Sequence, residues 1–132
     1  MLTELTDDNF ELEVLNSDVP CVILFTAGWC TFCDTMVPKI ENLSSLYDDE
    51  VKFCVANIDQ QKGLRITFVV GALPYVVFVR DGAQIPLFDE TVSEERLDER
   101  IRSVLNGGDI PEARPIKFRR LPTTPKSSEK DS

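Results

Sequence analysis

Five consecutive apolar residues, Cys21-Val22-Ile23-Leu24-Phe25, run through Thr26-Ala27-Gly28-Trp29 into a Cys-x-x-Cys pair that heads a helical repeat. No other feature constrains the fold as strongly. An unbroken apolar run of this length marks a strand buried on both faces, which requires structure above and below it. Across Thr31–Tyr47 the apolar residues Phe32, Met36, Val37, Ile40, Leu43 and Leu46 recur at helical spacing. Pro38 lies inside that repeat, where it removes a backbone donor and should kink the helix.

The rest of the chain supplies partners for this strand and helix. Residues 51–58 read as a second strand, 60–68 weakly as a short helix containing Gly63, and 75–79 as a third strand. Asp81-Gly82 predicts a tight hairpin turn into a strand over 85–88. Thr91-Val92-Ser93-Glu94 has the form of a capping box, followed by the apolar stripe Leu97, Ile101, Val104 and Leu105 and stopped by Gly107-Gly108. Ahead of the first strand, Thr6-Asp7-Asp8 before Phe10, Leu12, Val14 and Leu15 reads as a capped short helix. A β-α-β order followed by a hairpin and a helix predicts an α/β fold, a central mixed β-sheet flanked by helices on both faces.

After Gly108 the pattern ends. Four prolines, Ser/Thr and scattered charges follow without periodicity, which reads as a disordered tail or a partner-binding arm. The expected division is a domain over 1–107 and a tail over 108–132. Six Lys/Arg against four Asp/Glu make the tail +2, leaving −11 for residues 1–107 out of a total of −9. That balance argues against a nucleic-acid or anionic-membrane partner for the domain. No stretch approaches a membrane span, and the polar, acidic start has no apolar signal core, so a cytoplasmic, reducing location is expected.

Two cysteines separated by two residues, at the passage from strand to helix, are placed for reactivity. The first sits on the helix N-terminus, where unpaired N–H groups and the macrodipole favour an anion, and the thiolate is the nucleophile. The second lies one turn along, within bonding reach, so a disulfide forms and opens with little backbone movement. Two other readings stand beside this one. The pair is half of a zinc site, although the chain has no histidine and its other cysteines, Cys21 and Cys54, stand apart in apparent strands. Alternatively the pair are two buried structural thiols; Cys21 and Cys54 themselves are better read as small apolar core residues.

Over residues 5–106 the chain resembles the thioredoxin family. The resemblance rests on Phe25, Ala27, Trp29-Cys30-x-x-Cys33, Pro38, Asn57-Ile58-Asp59-Gln60, Pro74 and Asp81-Gly82. It implies the thioredoxin fold and a thiol–disulfide oxidoreductase that reduces protein disulfides through Cys30 and Cys33, Cys30 attacking and Cys33 resolving. It also implies that Pro74 is a cis proline facing the disulfide and that the Leu73 backbone pairs with substrate like an added strand. Trp29, Thr31 and Phe32 would complete the substrate contact. Neither metal nor cofactor is implied beyond the redox-active disulfide. The implied partners are disulfide-containing proteins and a thioredoxin-reductase-like electron donor, with the protein acting as a monomer.

The chain departs from that family at the site. Thr31-Phe32 replaces the usual Gly-Pro between the cysteines, which shifts the reduction potential. Leu24 replaces the family's buried acid and Val55 its lysine partner, so the pair is lost together and Cys33 lacks that base. Asp34 follows Cys33 where a basic residue is common, and Asp89 and Glu90 stand before the last helix, where the family has a glycine. These three carboxylates either make the groove rim acidic or are ordinary solvated charges. The departures keep a second function open, a thioredoxin-fold interaction module whose cysteine pair is redox-inert or regulatory.

Overall fold

The computed structural model describes residues 2–47, 49–87, 93–106 and 114–118. Among the described residues six strands form one sheet, in the spatial order β1 (Thr3–Glu4), β3 (Lys52–Asn57), β2 (Cys21–Thr26), β4 (Tyr75–Arg80), β5 (Ala83–Pro86) and β6 (Arg114–Pro115). The first three are mutually parallel, and β4, β5 and β6 add in antiparallel succession. The apolar run therefore occupies the middle of the sheet, with Leu24 paired to Val55 on one side and to Val76 on the other.

Alternation along β2 divides the core in two. Val22 and Leu24, with Phe53, Val76 and Phe78, pack under helices α1 (Thr31–Tyr47) and α3 (Glu94–Leu105). Cys21, Ile23 and Phe25, with Cys54, Ala56 and Val77, pack under a five-residue π-helix (Glu11–Leu15) and helix α2 (Lys62–Thr67). Each large side chain buried this way contributes about 1.5–3 kcal/mol, so both helical layers are needed to hold a strand that is apolar throughout. Asp81 and Gly82, both at positive φ (53° and 76°), form the two-residue hairpin turn that joins β4 to β5.

Several expectations need correction. The first helix is a short π-turn in which Phe10 and Val14 are buried but Leu12 and Leu15 are exposed. Thr6 and Asn9 cap each other ahead of it, while Asp7 reaches elsewhere, its carboxylate accepting from the backbone N–H groups of Gly63 and Leu64 at the start of α2 (3.0 and 2.9 Å). On α1 the buried stripe is Cys33, Met36, Ile40, Leu43 and Tyr47, whereas Phe32 and Leu46 face outward. The strand after the hairpin is Ala83–Pro86, and Phe88 lies outside the described residues. Ser93, whose side chain accepts from Arg96 N–H at 3.1 Å, is the cap of α3; Thr91 and Val92 lie outside the described residues, as do Gly107 and Gly108.

The largest difference concerns the tail. Residues 114–118 are not a free segment. Arg114 and Pro115 pair with Gln84 and Ala83, Ile116 N–H donates to the Gly82 carbonyl at 2.8 Å, and Ile116 and Phe118 pack on the face that holds Cys21 and Cys54. The Phe118 ring lies 4.8 Å from that of Phe10. A two-residue strand has no periodicity to read; it forms because β5 offers an open edge and Phe10 an apolar contact. The remainder of 108–132 lies outside the described residues.

Candidate active site

The junction of β2 and α1 places both cysteines, Cys30 at the end of the loop and Cys33 in the first turn of α1. Cys30 N–H donates to the Ala27 carbonyl at 3.1 Å, closing a turn that sets Cys30 immediately ahead of the first helical residue, Thr31. Cys30 and Cys33 are joined as a disulfide with a Cα–Cα distance of 5.4 Å, so the structure is the oxidised form. The Cys33 N–H, in the first turn of α1, faces Cys30 Sγ at 3.2 Å while also donating to the Cys30 carbonyl at 3.2 Å. That donor stabilises negative charge on Cys30 when the bond opens. Exposure is graded as well: Cys30 retains 7% of its surface and Cys33 1%.

Two large apolar side chains flank the disulfide. Trp29 and Phe32 are large exposed side chains, and Thr31 lies exposed between the cysteines. Trp29 Nε1–H donates to Asp59 Oδ1 at 3.4 Å. Asp59 is held by an Asn57 side chain that accepts from the N–H groups of Asp59 and Gln60 (2.8 and 3.3 Å). Sequence reasoning read Asp59 only as part of a four-residue landmark and missed this contact. The signal was available, because β3 runs parallel to β2 and must end at the same edge as the cysteine loop.

Leu73–Pro74 is a cis peptide bond, as the family resemblance implies. Pro74 is buried and Leu73 packs against the core. Tyr75, the next residue, pairs with Phe25, so this bond lies at the same end of the sheet as the cysteine loop. Asp34 is exposed in the first turn of α1, while Asp89 and Glu90 lie outside the described residues. Leu24 is fully buried on the α1 side and opposite Val55, so the interior behind the disulfide is hydrocarbon where the resembling family carries a charge pair. Cys21 and Cys54 are buried free thiols on the other side of the sheet, and no cluster of three metal-ligating side chains occurs among the described residues.

A sequence profile described as Thioredoxin matches residues 1–103. The chain belongs to the thioredoxin family. Among similar proteins, the thioredoxin of Rickettsia bellii (strain RML369-C) is 34% identical over 84 residues, covering 64% of this chain and 80% of that one. "Thioredoxin 1" of Nostoc sp. (strain PCC 7120) is 24% identical over 102 residues, 77% of this chain and 95% of that one. "Thioredoxin 2" of Chlorobaculum tepidum is 28% identical over 102 residues, 74% and 94% respectively. With the family and the bonded Cys30–Cys33 pair together, the chain is a thiol–disulfide oxidoreductase working by dithiol–disulfide exchange on protein disulfides. The thioredoxin fold accounts for the mixed sheet, the helices on both faces and the cis proline at the active-site end.

Proposed function

We propose that Cys30 is the attacking and Cys33 the resolving thiol, and that Trp29, Thr31, Phe32, Leu73 and Pro74 form the surface on which a substrate disulfide is presented. The observation that carries this reading is the Cys33 N–H aimed at the more exposed sulfur, Cys30 Sγ. In the reduced protein the Cys30 thiolate attacks one sulfur of the substrate disulfide. That bond breaks, the first substrate sulfur leaves as a thiolate and takes a proton, and a mixed disulfide with Cys30 forms. Cys33, deprotonated, attacks Cys30 Sγ and expels the second substrate thiolate. Two electrons pass to the substrate, whose two thiolates take one proton from Cys33 and one from solvent, and the Cys30–Cys33 bond is restored. With Leu24 in place of a buried acid, the base nearest to hand for Cys33 is the thiolate expelled in the first step.

A separate thioredoxin-reductase-like donor returns the electrons, and no prosthetic group takes part. The working unit is a monomer comprising residues 1–107, with the following segment adding an edge strand. A cytoplasmic location accords with the two thiols left unpaired at Cys21 and Cys54. Among the described residues no helix is long and apolar enough to cross a membrane. Insulin reduction driven by dithiothreitol tests the reading. Wild type should accelerate precipitation, Cys30→Ser should not, and Cys33→Ser should accumulate a mixed disulfide at Cys30 detectable by mass spectrometry. Full activity in Cys30→Ser would sink the assignment and leave the module reading, in which the fold binds without exchanging electrons.

A further inference from the structure

Trp29, the chain's single tryptophan, stands immediately before Cys30 with 66% of its surface exposed. An indole so exposed has no need of a protein acceptor. Water serves its N–H nearly as well, and a bond to protein there adds little to stability. What such a bond does is hold the ring in one orientation. The acceptor is Asp59 Oδ1, at 3.4 Å. Asp59 is itself exposed, and a carboxylate on an exposed turn anchors a ring only if its own backbone is fixed. Asn57 fixes it.

Asn57 is the last residue of β3 and pairs with Thr26 at the end of β2. The following N–H, that of Ile58, donates to the Thr26 carbonyl at 2.9 Å. The two oxygens of Asn57 then gather the turn beyond the strand. Its side-chain Oδ1 accepts from the N–H groups of Asp59 and Gln60 (2.8 and 3.3 Å). Its main-chain carbonyl accepts from those of Gln60 and Gln61 (3.2 and 2.9 Å). A short side-chain carbonyl reaches the N–H two residues on, which is why an Asn suits this place. The far end of the turn is tied as well: Gln61 Oε1 accepts from Asp7 N–H at 2.8 Å, and the Asp7 carboxylate caps α2. Asp59 thus projects from a backbone held on both sides, at the sheet edge where the parallel strands β2 and β3 end together.

We propose that Asn57 is a positioning residue for client recognition, acting through Asp59 to hold the Trp29 indole in one orientation beside Cys30. A client that docks on a ring already ordered gives up less side-chain freedom than one that must order it. The strut therefore lowers KM for protein disulfides and leaves the sulfur chemistry alone. It needs an oxygen acceptor at each of the two positions, and the charge of Asp59 is incidental to it. The inference rests on the reading that Trp29 belongs to the client surface.

Two pairs of variants of the full chain separate the acceptors from charge and bulk. Asn57→Leu and Asp59→Leu remove an acceptor at similar volume, whereas Asn57→Asp and Asp59→Asn keep an oxygen in place. In the oxidised protein the single indole N–H gives one resonance in two-dimensional NMR. Its order parameter should fall and its exchange with water quicken in both leucine variants, and both should stay near wild type in the conservative ones. In dithiothreitol-driven insulin reduction the leucine variants should raise KM about three- to tenfold, the loss expected of one hydrogen bond, with kcat within about twofold of wild type. Asn57→Asp and Asp59→Asn should restore the wild-type KM. Should Asn57→Leu not fold, Asn57→Ala, which lacks the acceptor without the added apolar bulk, takes its place in each measurement. An indole as ordered in the Asn57 variant as in wild type overturns the proposal. So does an insulin KM unchanged in both leucine variants, or one raised equally by Asp59→Asn and Asp59→Leu, which would assign the effect to charge. The indole measurement needs no client. A wild type that fails with insulin therefore loses the reductase reading, while an indole indifferent to both acceptors loses the strut alone.

Discussion

The two faces of the sheet each carry a pair of cysteines, and the pairs share nothing but residue type. On the α1 side, Cys30 and Cys33 stand where a strand gives way to a helix, bonded to each other and close to solvent. On the opposite side, Cys21 and Cys54 are embedded in adjacent strands, with the Cys21 thiol directed at the carbonyls of Glu13 and Val19 (3.8 Å each). Contact with the Cys21 thiol, and after it burial, push the Cys54 thiol well above the ordinary range. In the ladder Cys54 is opposite Ile23 and Cys21 opposite Lys52, one two-residue step out of line. Strand rise and spacing put such a pair roughly 8 Å apart at Cα, too far for a disulfide without backbone movement. Reactivity is thus a property of backbone position: helix-start donors and access make one pair exchange electrons, and a closed sheet interior makes the other behave as hydrocarbon.

The sharpest way to break this contrast is to label the thiols. In the reduced native protein iodoacetamide should modify Cys30 first and Cys33 later. Cys21 and Cys54 should react only through global opening, on the order of a thousandfold or more slowly than Cys30. Site-resolved mass spectrometry over a time course reads this directly, and early modification of Cys54 or Cys21 would end the comparison.

Next in size is the hydrocarbon behind the disulfide. Leu24→Asp places a carboxyl in the core cluster of Val22 and Met36 with Val55 and Val76 opposite it on the two neighbouring strands, at an expected cost of about 3–5 kcal/mol near neutral pH, the penalty of an unpaired buried charge. Burial raises the carboxyl pKa of the folded form above its unfolded value, so the folded form holds its proton longer. The deficit against wild type should therefore be smallest below about pH 4 and grow as pH rises from there. Adding Val55→Lys should recover part of the loss in a double-mutant cycle followed by urea melts. A pH-independent deficit would mean that the introduced carboxyl escapes to solvent.

The other face is tested by removing its clasp. Deleting residues 114–132 strips Ile116, Phe118 and the strand bond to Gly82 from the face over Cys21 and Cys54. Both side chains are half-buried, so the loss should be about 1–3 kcal/mol, seen as a fall of several degrees in the thermal midpoint. Insulin reduction should persist below that midpoint, because nothing in the clasp reaches Cys30. An unchanged midpoint would return this segment to the status of a free tail. Smallest of all should be the rim. Converting Asp34, Asp89 and Glu90 to their amides should lower the Cys30 pKa and change rates by about two- to fivefold, slowing basic disulfide peptides and speeding acidic ones. Added salt should shrink both differences, and identical rates at low salt would make these charges mere solvated surface.

The chain's own pattern was enough for the centre of the molecule. The apolar run is β2, the helical repeat beginning at Thr31 is α1 to the residue, Asp81-Gly82 turns the hairpin, and the Cys-x-x-Cys pair falls at the strand-to-helix junction. Each is a local signal: periodicity, a turn dipeptide or a boundary between two periods, written in neighbouring residues. What only the tertiary structure decided are contacts between residues far apart in the chain. β1 and β6 are two-residue strands that exist because an edge was open to them. Asp7 caps a helix more than fifty residues away, Asp59 holds Trp29, and Phe118 finds Phe10. Phe32 and Leu46 share the helical spacing of the α1 stripe yet face solvent, because the sheet beneath that helix sets how far its buried face extends. Hydrophobic spacing states which side of an element is apolar; where the neighbouring layer ends, and which distant group meets it there, is settled only when the chain has closed on itself.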